Sequence, residues 1–247
     1  MVIIKVLINW SYKISDFSNQ SKFSFIWKRG NTSGIIGLTF SYIDLIFIDH
    51  GIFRFTWRSF GSVDENLYRS NQPFSWQIKS DKKNRHIKTV INLRGERNCS
   101  SYFLEKKACK KLGLKLINFP ISSREAPKQE TVVAAKKMFE TIEYPAVMHC
   151  KSGADRAGIM AALYLILKKE ISAEKAKKQL SFKHLHIKYA KTGILDAFLE
   201  NYIKDNNISK IKFIEWIKNG YDREKLRSSF KSYKLAEFFN YLIMRRE

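Results

Sequence analysis

The sequence predicts an α/β fold in which a central sheet with parallel strands is flanked by helices and followed by C-terminal helices. Short apolar or β-branched runs, which are typical of buried strands, recur at 88–95, 114–121 and 146–150. Segments with apolar residues at helical spacing alternate with these runs, at 101–112, 128–142 and 156–169. Strands that alternate with helices favour a sheet with parallel members and helices on its faces.

The first strand and helix of this pattern have clear boundaries. The run KTVINLRG at 88–95 is β-branched and ends in a glycine turn, which indicates a buried strand. The helix over 101–112 places apolar side chains on one face, and Gly113 supplies its stop.

The second half of the pattern repeats the first. The run LKLINFPI at 114–121 predicts a strand, and a helix is expected over 128–142. Pro145 separates that helix from the strand AVMHC at 146–150. The helix over 156–169 is strongly apolar, so we expect it to be buried.

The remainder, residues 172–245, is expected to be helical. It contains two apolar stripes, which are more often core than ligand sites. Their members are Ile194, Leu195, Phe198, Leu199 and Tyr202 in the first stripe, and Phe213, Ile214, Trp216 and Ile217 in the second.

Composition excludes several classes of protein. The chain has 247 residues, 45% hydrophobic and 14% aromatic, which excludes a disordered polymer and suffices for a sizeable core. Three cysteines do not make a disulfide framework, so we expect a reducing, cytoplasmic compartment. No run reaches the roughly 18 apolar residues of a membrane-spanning helix, and the start MVIIKVLINW lacks the cleavage site of a signal peptide.

The most apolar stretch, residues 35–48, has two interpretations. A buried helix or strand is favoured, because the stretch is too short to span a bilayer. The alternative is an interfacial anchor that makes the protein a peripheral membrane protein. Basic residues flank the stretch on both sides, namely Lys28, Arg29, Arg54 and Arg58.

The net charge of +22 attracts polyanions or acidic substrates. The basic excess is spread over both halves of the chain, and lysine supplies most of it. Because base readout favours arginine, nucleic acid is not the expected partner. A lysine-rich solvated surface and an anionic membrane surface both stay open.

The chemistry is concentrated in the segment AVMHCKSGADRAG, residues 146–158. A strand delivers Cys150, and a helix leaves with Arg156, six positions later. A tight turn between them, Lys151, Ser152, Gly153, Ala154 and Asp155, can point its backbone N–H groups inward as an anion nest. The helix N-terminus adds partial positive charge.

A cysteine in this setting is expected to be a thiolate. Gly153 permits a backbone conformation that a side chain would resist. The guanidinium of Arg156 has a planar fork that matches two phosphate oxygens. The segment therefore predicts in-line attack of Cys150 on phosphorus and a phosphocysteine intermediate. The alternative, a buried cysteine beside a surface arginine, leaves this spacing without a purpose.

The segment resembles the signature of the cysteine-dependent protein tyrosine and dual-specificity phosphatases: His-Cys, five residues, then Arg. His149, Cys150, Gly153 and Arg156 match it. The runs LYRSNQP at 67–73 and TVINLRG at 89–95 are also similar to bacterial members of this family. The resemblance implies a tyrosine-phosphatase-like fold, Cys150 as nucleophile, Arg156 as phosphate clamp, and a His149 that holds the loop and thiolate without touching substrate.

The resemblance divides the chain into three parts. Residues 1–60 form a segment without an assigned role, residues 61–200 form the phosphatase-like domain, and residues 201–247 form a helical extension packed on the same domain. No cofactor and no metal are implied. The two histidines of KHLHIKY at 183–189 have no cysteine or carboxylate nearby in sequence, so we expect them to be structural or rim residues.

The chain departs from the family at two points. Ala157 stands where the family usually has Ser or Thr, whose hydroxyl can bind the thiolate. The loop NFPISSREAPKQE at 118–130 lacks the usual general-acid Asp. Asp155 is the favoured acid, since myotubularin-type phosphatases have an Asp at that position. Its alternative role is a helix N-cap. Glu125 is the second candidate acid.

The sequence thus favours a phosphomonoester hydrolase. The substrate classes are phosphorylated proteins and small or lipid phosphoesters, and the sequence does not choose among them. The departures at Ala157 and in the loop motivate an alternative, a weak pseudophosphatase or phospho-ligand binding module, which can also lie on an anionic membrane surface.

Overall fold

The computed structural model describes residues 27–49, 51, 54 and 58–232. Residues 1–26, which belong to the N-terminal segment without an assigned role, and the helical end expected after residue 232 lie outside the described residues. The strands are β1 (Gly61–Ser62), β2 (Leu67–Ser70), β3 (Thr89–Asn92), β4 (Lys115–Asn118) and β5 (Ala146–His149). The helices are α1 (Gly34–Phe47), α2 (Ser75–Arg85), α3 (Ser100–Leu112), α4 (Gln129–Thr141), α5 (Asp155–Leu167), α6 (Ala173–Ala176), α7 (Ile194–Ser209), α8 (Phe213–Asn219) and α9 (Arg223–Ser229).

The five-stranded sheet has the order β1-β2-β5-β3-β4. Strands β2, β5, β3 and β4 are mutually parallel, and β1 pairs antiparallel with β2. His149 at the end of β5 is opposite Ser70 on one side and Asn92 on the other. The carboxyl ends of three strands therefore meet around the residue that precedes Cys150. The predicted α/β architecture is confirmed.

Alternation along the strands sends side chains to two separate cores. Val90 and Val147 pack with residues of α2 and α3 on one face. Their neighbours Ile91 and Met148 join the larger core on the opposite face, which includes residues of α4, α5, α7 and α8. Helix α5 is buried along most of its length, from Asp155 to Tyr164, as its apolar sequence predicts. The sheet thus lies between two helical layers.

One predicted helix end is found where the sequence places it, and one predicted helical region is interrupted. Gly113 has a φ of 63° and closes α3 in the left-handed region. The helices expected throughout 172–245 are interrupted between α6 and α7, where only Lys177–Gln179, Phe182–His184 and Lys191–Gly193 form short 3₁₀ turns.

Helix α1 is only half buried, so the expectation of a buried element at 35–48 is wrong for its outer face. Ser41, Asp44 and Leu45 are buried, whereas Ile35 is 85% exposed and Ile36 is 65% exposed. The flanking cations are mostly engaged within the protein, since Arg29, Arg54 and Arg58 form ion pairs with Asp44, Asp49 and Asp81, respectively. Within the described part of the chain, no helix has the length and apolar character needed to cross a membrane.

The helices after residue 194 share the main core. Phe198 of α7 packs edge-on against Phe213 and Tyr221, at 6.1 and 5.1 Å between ring centroids. Trp216 is fully buried and donates from Nε1 to Asp205. The boundary expected at residue 200 falls inside α7. We therefore propose that residues 61–232 form one folding unit.

Phe198→Ala tests this unit. Removal of a fully buried ring that joins α7 to α8 should lower the free energy of unfolding by about 3–5 kcal/mol. The loss should appear as a shift of one cooperative transition in urea, monitored by circular dichroism. The control is Ile208→Ala in the same helix, where the side chain is 78% exposed and the change should stay within about 0.5 kcal/mol. A separate early transition for the C-terminal helices would contradict the proposal.

Candidate functional site

A turn at the end of β5 forms a cradle around Cys150. The thiol is 2% exposed, and the turn leads directly into α5. Gly153 has a φ of +79°, and a Cβ there would lie 2.8 Å from the backbone nitrogen of Asn71. A side chain at this position is therefore excluded twice, by conformation and by space. The Gly153 N–H donates to Cys150 Sγ over 3.2 Å, which places a backbone donor on the thiol.

Cys150 and Arg156 line one cavity of about 240 Å³. Its other lining residues are Ile121, Ser122, Ser123, Arg124, Lys151, Ser152 and Asp155. Three cationic side chains and one carboxylate thus surround the mouth of the cradle, so the cavity attracts anions. The loop expected to border the site, residues 118–130, does so through Ile121 to Arg124.

The cradle is held from behind by Arg69, which sequence reasoning missed. This residue of β2 is wholly buried. Its Nη2 donates to the carbonyl oxygens of Gly153 and Ala154 at 2.7 and 2.9 Å, and its Nη1 donates to Gln179. The available signal was the position of this arginine within LYRSNQP at 67–73, a run similar to bacterial phosphatases of the family that the signature resembles. These bonds hold the two carbonyls toward the protein interior, on the side away from the cavity, while the Gly153 N–H is directed at Cys150 Sγ.

Burial lowers the pKa of Arg69 to about 10, although the nearby Cys150 and Asp155 act in the opposite direction. The guanidinium therefore stays charged at neutral pH. The cradle therefore has a fixed positive charge behind it, close to Cys150 and Asp155.

His149 lies beneath the cradle, as the family signature implies. It is fully buried, and its Nδ1 is 3.3 Å from the carbonyl oxygen of Cys150. Its Nε2 lies 2.5 Å from Glu105 Oε1, close enough for an ion pair but not aligned as a hydrogen bond. Gln72 donates to the other oxygen of Glu105. A polar network therefore supports the end of β5 from α3.

Asp155 does not act as an N-cap. It is the first residue of α5, and the structure gives the N-terminus of that helix no side-chain cap. Its Oδ1 lies 2.7 Å from Nδ1 of His186, whose Nε2 lies 2.5 Å from Asp196 Oδ2. All three residues are buried. The expectation that the histidines of 183–189 are merely structural or rim residues overlooked this contact, because Asp155 and Asp196 are distant in sequence.

Charge in this cluster differs from that at the neighbouring histidine. Burial alone would lower the pKa of His186, but hydrogen bonds to Asp155 and Asp196 raise it to about 8. Burial and the charge of Arg69 lower the pKa of His184 to about 4. At neutral pH, His186 is therefore mostly an imidazolium and His184 is neutral. No group of three or more His, Cys, Asp and Glu side chains in the described residues is arranged to hold a metal ion.

Glu125 lies outside the cradle cavity. Its Oε2 accepts from Nη2 of Arg223 over 2.6 Å. Glu125 lines a neighbouring cavity of about 220 Å³, together with Lys128 and Met160. Of the two candidate acids, the structure places only Asp155 in the lining of the cavity that contains Cys150.

Comparison with known proteins gives one family and a set of similar structures. Residues 74–193 match the family model PTP-NADK, described as DSP-PTPase phosphatase fused to NAD+ kinase. The crystal structure of TpbA from P. aeruginosa is 16% identical and covers 70% of this chain and 90% of its own, with a TM-score of 0.49. No curated protein matches.

Two further structures are similar over a smaller share of this chain. The core catalytic domain of the PP-IP phosphatase SIW14 from S. cerevisiae is 17% identical and covers 60% of this chain and 93% of its own, with a TM-score of 0.45. A putative phosphatase from Neisseria meningitidis is 18% identical and covers 58% of this chain and 97% of its own, with a TM-score of 0.46.

The variants Arg69→Lys and Arg69→Met distinguish the hydrogen bonds of the Arg69 guanidinium from its positive charge. Lysine keeps the charge but cannot hold two carbonyls and Gln179 together, so binding of vanadate should weaken about tenfold. Methionine also removes the charge, so alkylation of Cys150 by iodoacetamide at pH 6.5 should slow about tenfold relative to the lysine variant. Mass spectrometry of each cysteine provides the rates, with Cys99 as the internal control. Unchanged alkylation in the methionine variant would contradict an electrostatic role.

Proposed function

We propose that this chain hydrolyses phosphomonoesters through a phosphocysteine on Cys150, and the match of residues 74–193 to a family model of DSP-PTPase phosphatases supports this. One observation carries the proposal. Cys150 lines a cavity whose cationic side chains attract anions, together with Arg156, and it opens a turn whose conformation requires Gly153. No other described feature of the chain combines a nucleophile with an oxyanion site.

The reaction proceeds in two displacements. The Cys150 thiolate attacks phosphorus, so that an S–P bond forms as the bond to the leaving oxygen breaks. Backbone N–H groups of the turn and the fork of Arg156 bind the equatorial oxygens, where charge is greatest in the transition state. Water then attacks the phosphocysteine, releases inorganic phosphate and regenerates the thiolate. Neither step draws on a cofactor.

The leaving oxygen needs a proton in the first step, and we propose Asp155 as its donor. Asp155 lines the cavity with Cys150, whereas Glu125 is held by Arg223 at the neighbouring cavity. The same carboxyl group would accept a proton from water in the second step.

Ala157 favours a slow enzyme and motivates the alternative function. It is fully buried in the first turn of α5 and has no hydroxyl with which to bind the thiolate. Gly153 N–H is the donor that the structure gives to Cys150 Sγ. A chain that binds phosphoesters without turnover, as a pseudophosphatase does, would share this geometry.

The proposed substrates are phosphorylated proteins and small or lipid phosphoesters. Arg124, Lys151 and Arg156 at the cavity suit a dianionic phosphoryl group, whatever carries it. We place the reaction in the cytoplasm, where Cys150 stays reduced.

Cys150→Ser tests the chemistry. Wild type should hydrolyse 4-nitrophenyl phosphate in the presence of chelator and be inhibited by vanadate, and Cys150→Ser should lose activity at least about 10³-fold, because a hydroxyl is a far weaker nucleophile. The matched control Cys99→Ser should retain full activity. Metal-dependent activity that survives in Cys150→Ser would sink the proposal. Vanadate binding without any turnover by wild type would establish the pseudophosphatase instead.

Asp155→Asn and Glu125→Gln compare the candidate acids. With phenyl phosphate, a poor leaving group, Asp155→Asn should lower kcat by about 10²-fold or more, since proton donation is lost. Glu125→Gln should leave kcat within about twofold, because Glu125 does not line the cradle cavity. Steady-state kinetics at pH 6 to 9 provides the comparison. The reverse order of effects would identify Glu125 as the acid.

A further inference from the structure

The buried row of Asp155, His186 and Asp196 extends from the cavity into the interior. His186 belongs to the 3₁₀ connection between α6 and α7, and Asp196 belongs to the first turn of α7. Each of the three residues is 3% exposed. The row therefore exchanges protons with solvent poorly except through its Asp155 end, which lines the cavity.

The imidazole of His186 meets a carboxylate oxygen at both ring nitrogens, at 2.7 Å from Nδ1 to Asp155 and 2.5 Å from Nε2 to Asp196. A neutral ring carries one N–H, so it can donate to only one of the two carboxylates. If both contacts are hydrogen bonds, either His186 is an imidazolium that donates from both nitrogens, or Asp155 or Asp196 carries a proton and donates it to the ring. The same proton can thus reside on His186 or on Asp155, on either side of a 2.7 Å contact.

A carboxyl group alone would be a poor proton donor at neutral pH, because an ordinary aspartate has lost its proton above about pH 4. An imidazolium placed between two carboxylates keeps its proton to higher pH. The contact between them lets Asp155 borrow that proton at the moment when the leaving oxygen develops charge.

We infer that His186 stores the proton that Asp155 delivers to the leaving oxygen. This inference rests on the proposed phosphatase function. As the bond from phosphorus to the leaving oxygen breaks, the proton moves from His186 Nδ1 to Asp155, and from Asp155 to that oxygen. His186 is left neutral and Asp155 is again a carboxylate. In the second displacement the attacking water returns one proton by the same route, so the cycle is balanced without any co-reactant.

The charged groups around the row come from several elements. Asp155 and Asp196 face His186 directly, and both raise its pKa. The guanidinium of Arg69 in β2 interacts with Asp155. The ammonium of Lys188 interacts with Asp196. Each carboxylate of the row thus has a cation near it, in addition to the imidazole of His186.

The sign of the pH dependence follows from this arrangement. The raised pKa of His186, about 8, means that the stored proton is present at neutral pH and is lost as the pH rises through about 8. With a poor leaving group, kcat should therefore fall above about pH 8. Without the histidine, the proton would have to reside on Asp155 alone, and the fall should begin several pH units lower.

The experiment compares 4-nitrophenyl phosphate with phenyl phosphate, which differ in their need for the proton. His186→Gln should lower kcat for phenyl phosphate at pH 7 by about tenfold or more, and for 4-nitrophenyl phosphate by less than about threefold. The basic limb of the phenyl phosphate profile should move to lower pH. Asp196→Asn keeps the histidine but removes one of its two carboxylates, and it should move the limb in the same direction by a smaller amount. The matched control is His184→Gln, in the same connection, which should leave the limb in place.

Three outcomes would overturn the inference. An equal loss with both esters and an unmoved limb would make His186 a structural residue only. If the basic limb of the phenyl phosphate profile is unchanged in Asp196→Asn, that result would contradict a proton stored on His186, even where His186→Gln does not fold. Titration of wild-type His186 by NMR provides a readout independent of turnover, and an ordinary value near 6.5 would remove the store of protons. Hydrolysis of neither ester by wild type would instead defeat the proposed phosphatase function.

Discussion

The cradle depends on the hydrogen bonds from Arg69 to the carbonyl oxygens of Gly153 and Ala154. A turn that points its N–H groups toward an anion must point carbonyls in the opposite direction, and here that direction is the protein interior. Without these hydrogen bonds the two buried carbonyl oxygens would be unsatisfied, which would lower the free energy of unfolding. The same guanidinium binds Gln179, so it also joins the cradle to the connection that carries His186.

Buried charge links stability to reactivity in this site. Arg69 has no carboxylate within ion-pair distance among the described residues, and a lone buried cation is costly. The groups whose charge offsets it are Cys150 and Asp155. The nucleophile and the acid of the proposed chemistry therefore lie in the field of one buried cation. One layer deeper, His149 Nε2 lies 2.5 Å from Glu105 Oε1, and both side chains are fully buried.

The sheet, its flanking helices and the position of Cys150 at a strand end follow from local patterns, because hydrophobic alternation and turn residues act over a few positions. Arg69 and the row of His186 and Asp196 could not be placed in this way. Gly153 is 84 residues from Arg69, and Asp155 is 31 residues from His186. Asp196 is 10 residues from His186, across a 3₁₀ turn and a helix start that give no local signal. For helix α1, the local pattern gave a wrong expectation of burial. Its apolar sequence predicts burial, but only one face has a partner, in α3, and Ile35 and Ile36 stay exposed.

The position of Asp155 explains why a histidine belongs beside it. The first turn of a helix stabilises negative charge, so a carboxyl group there holds its proton weakly. Under the proposed function, an acid in this turn lines the same cavity as Cys150 but needs a source for its proton at neutral pH. His186 would supply that proton from the interior, where it contacts Asp155. Glu125 instead forms an ion pair with Arg223, which joins the loop at 118–130 to helix α9 beside the cavity.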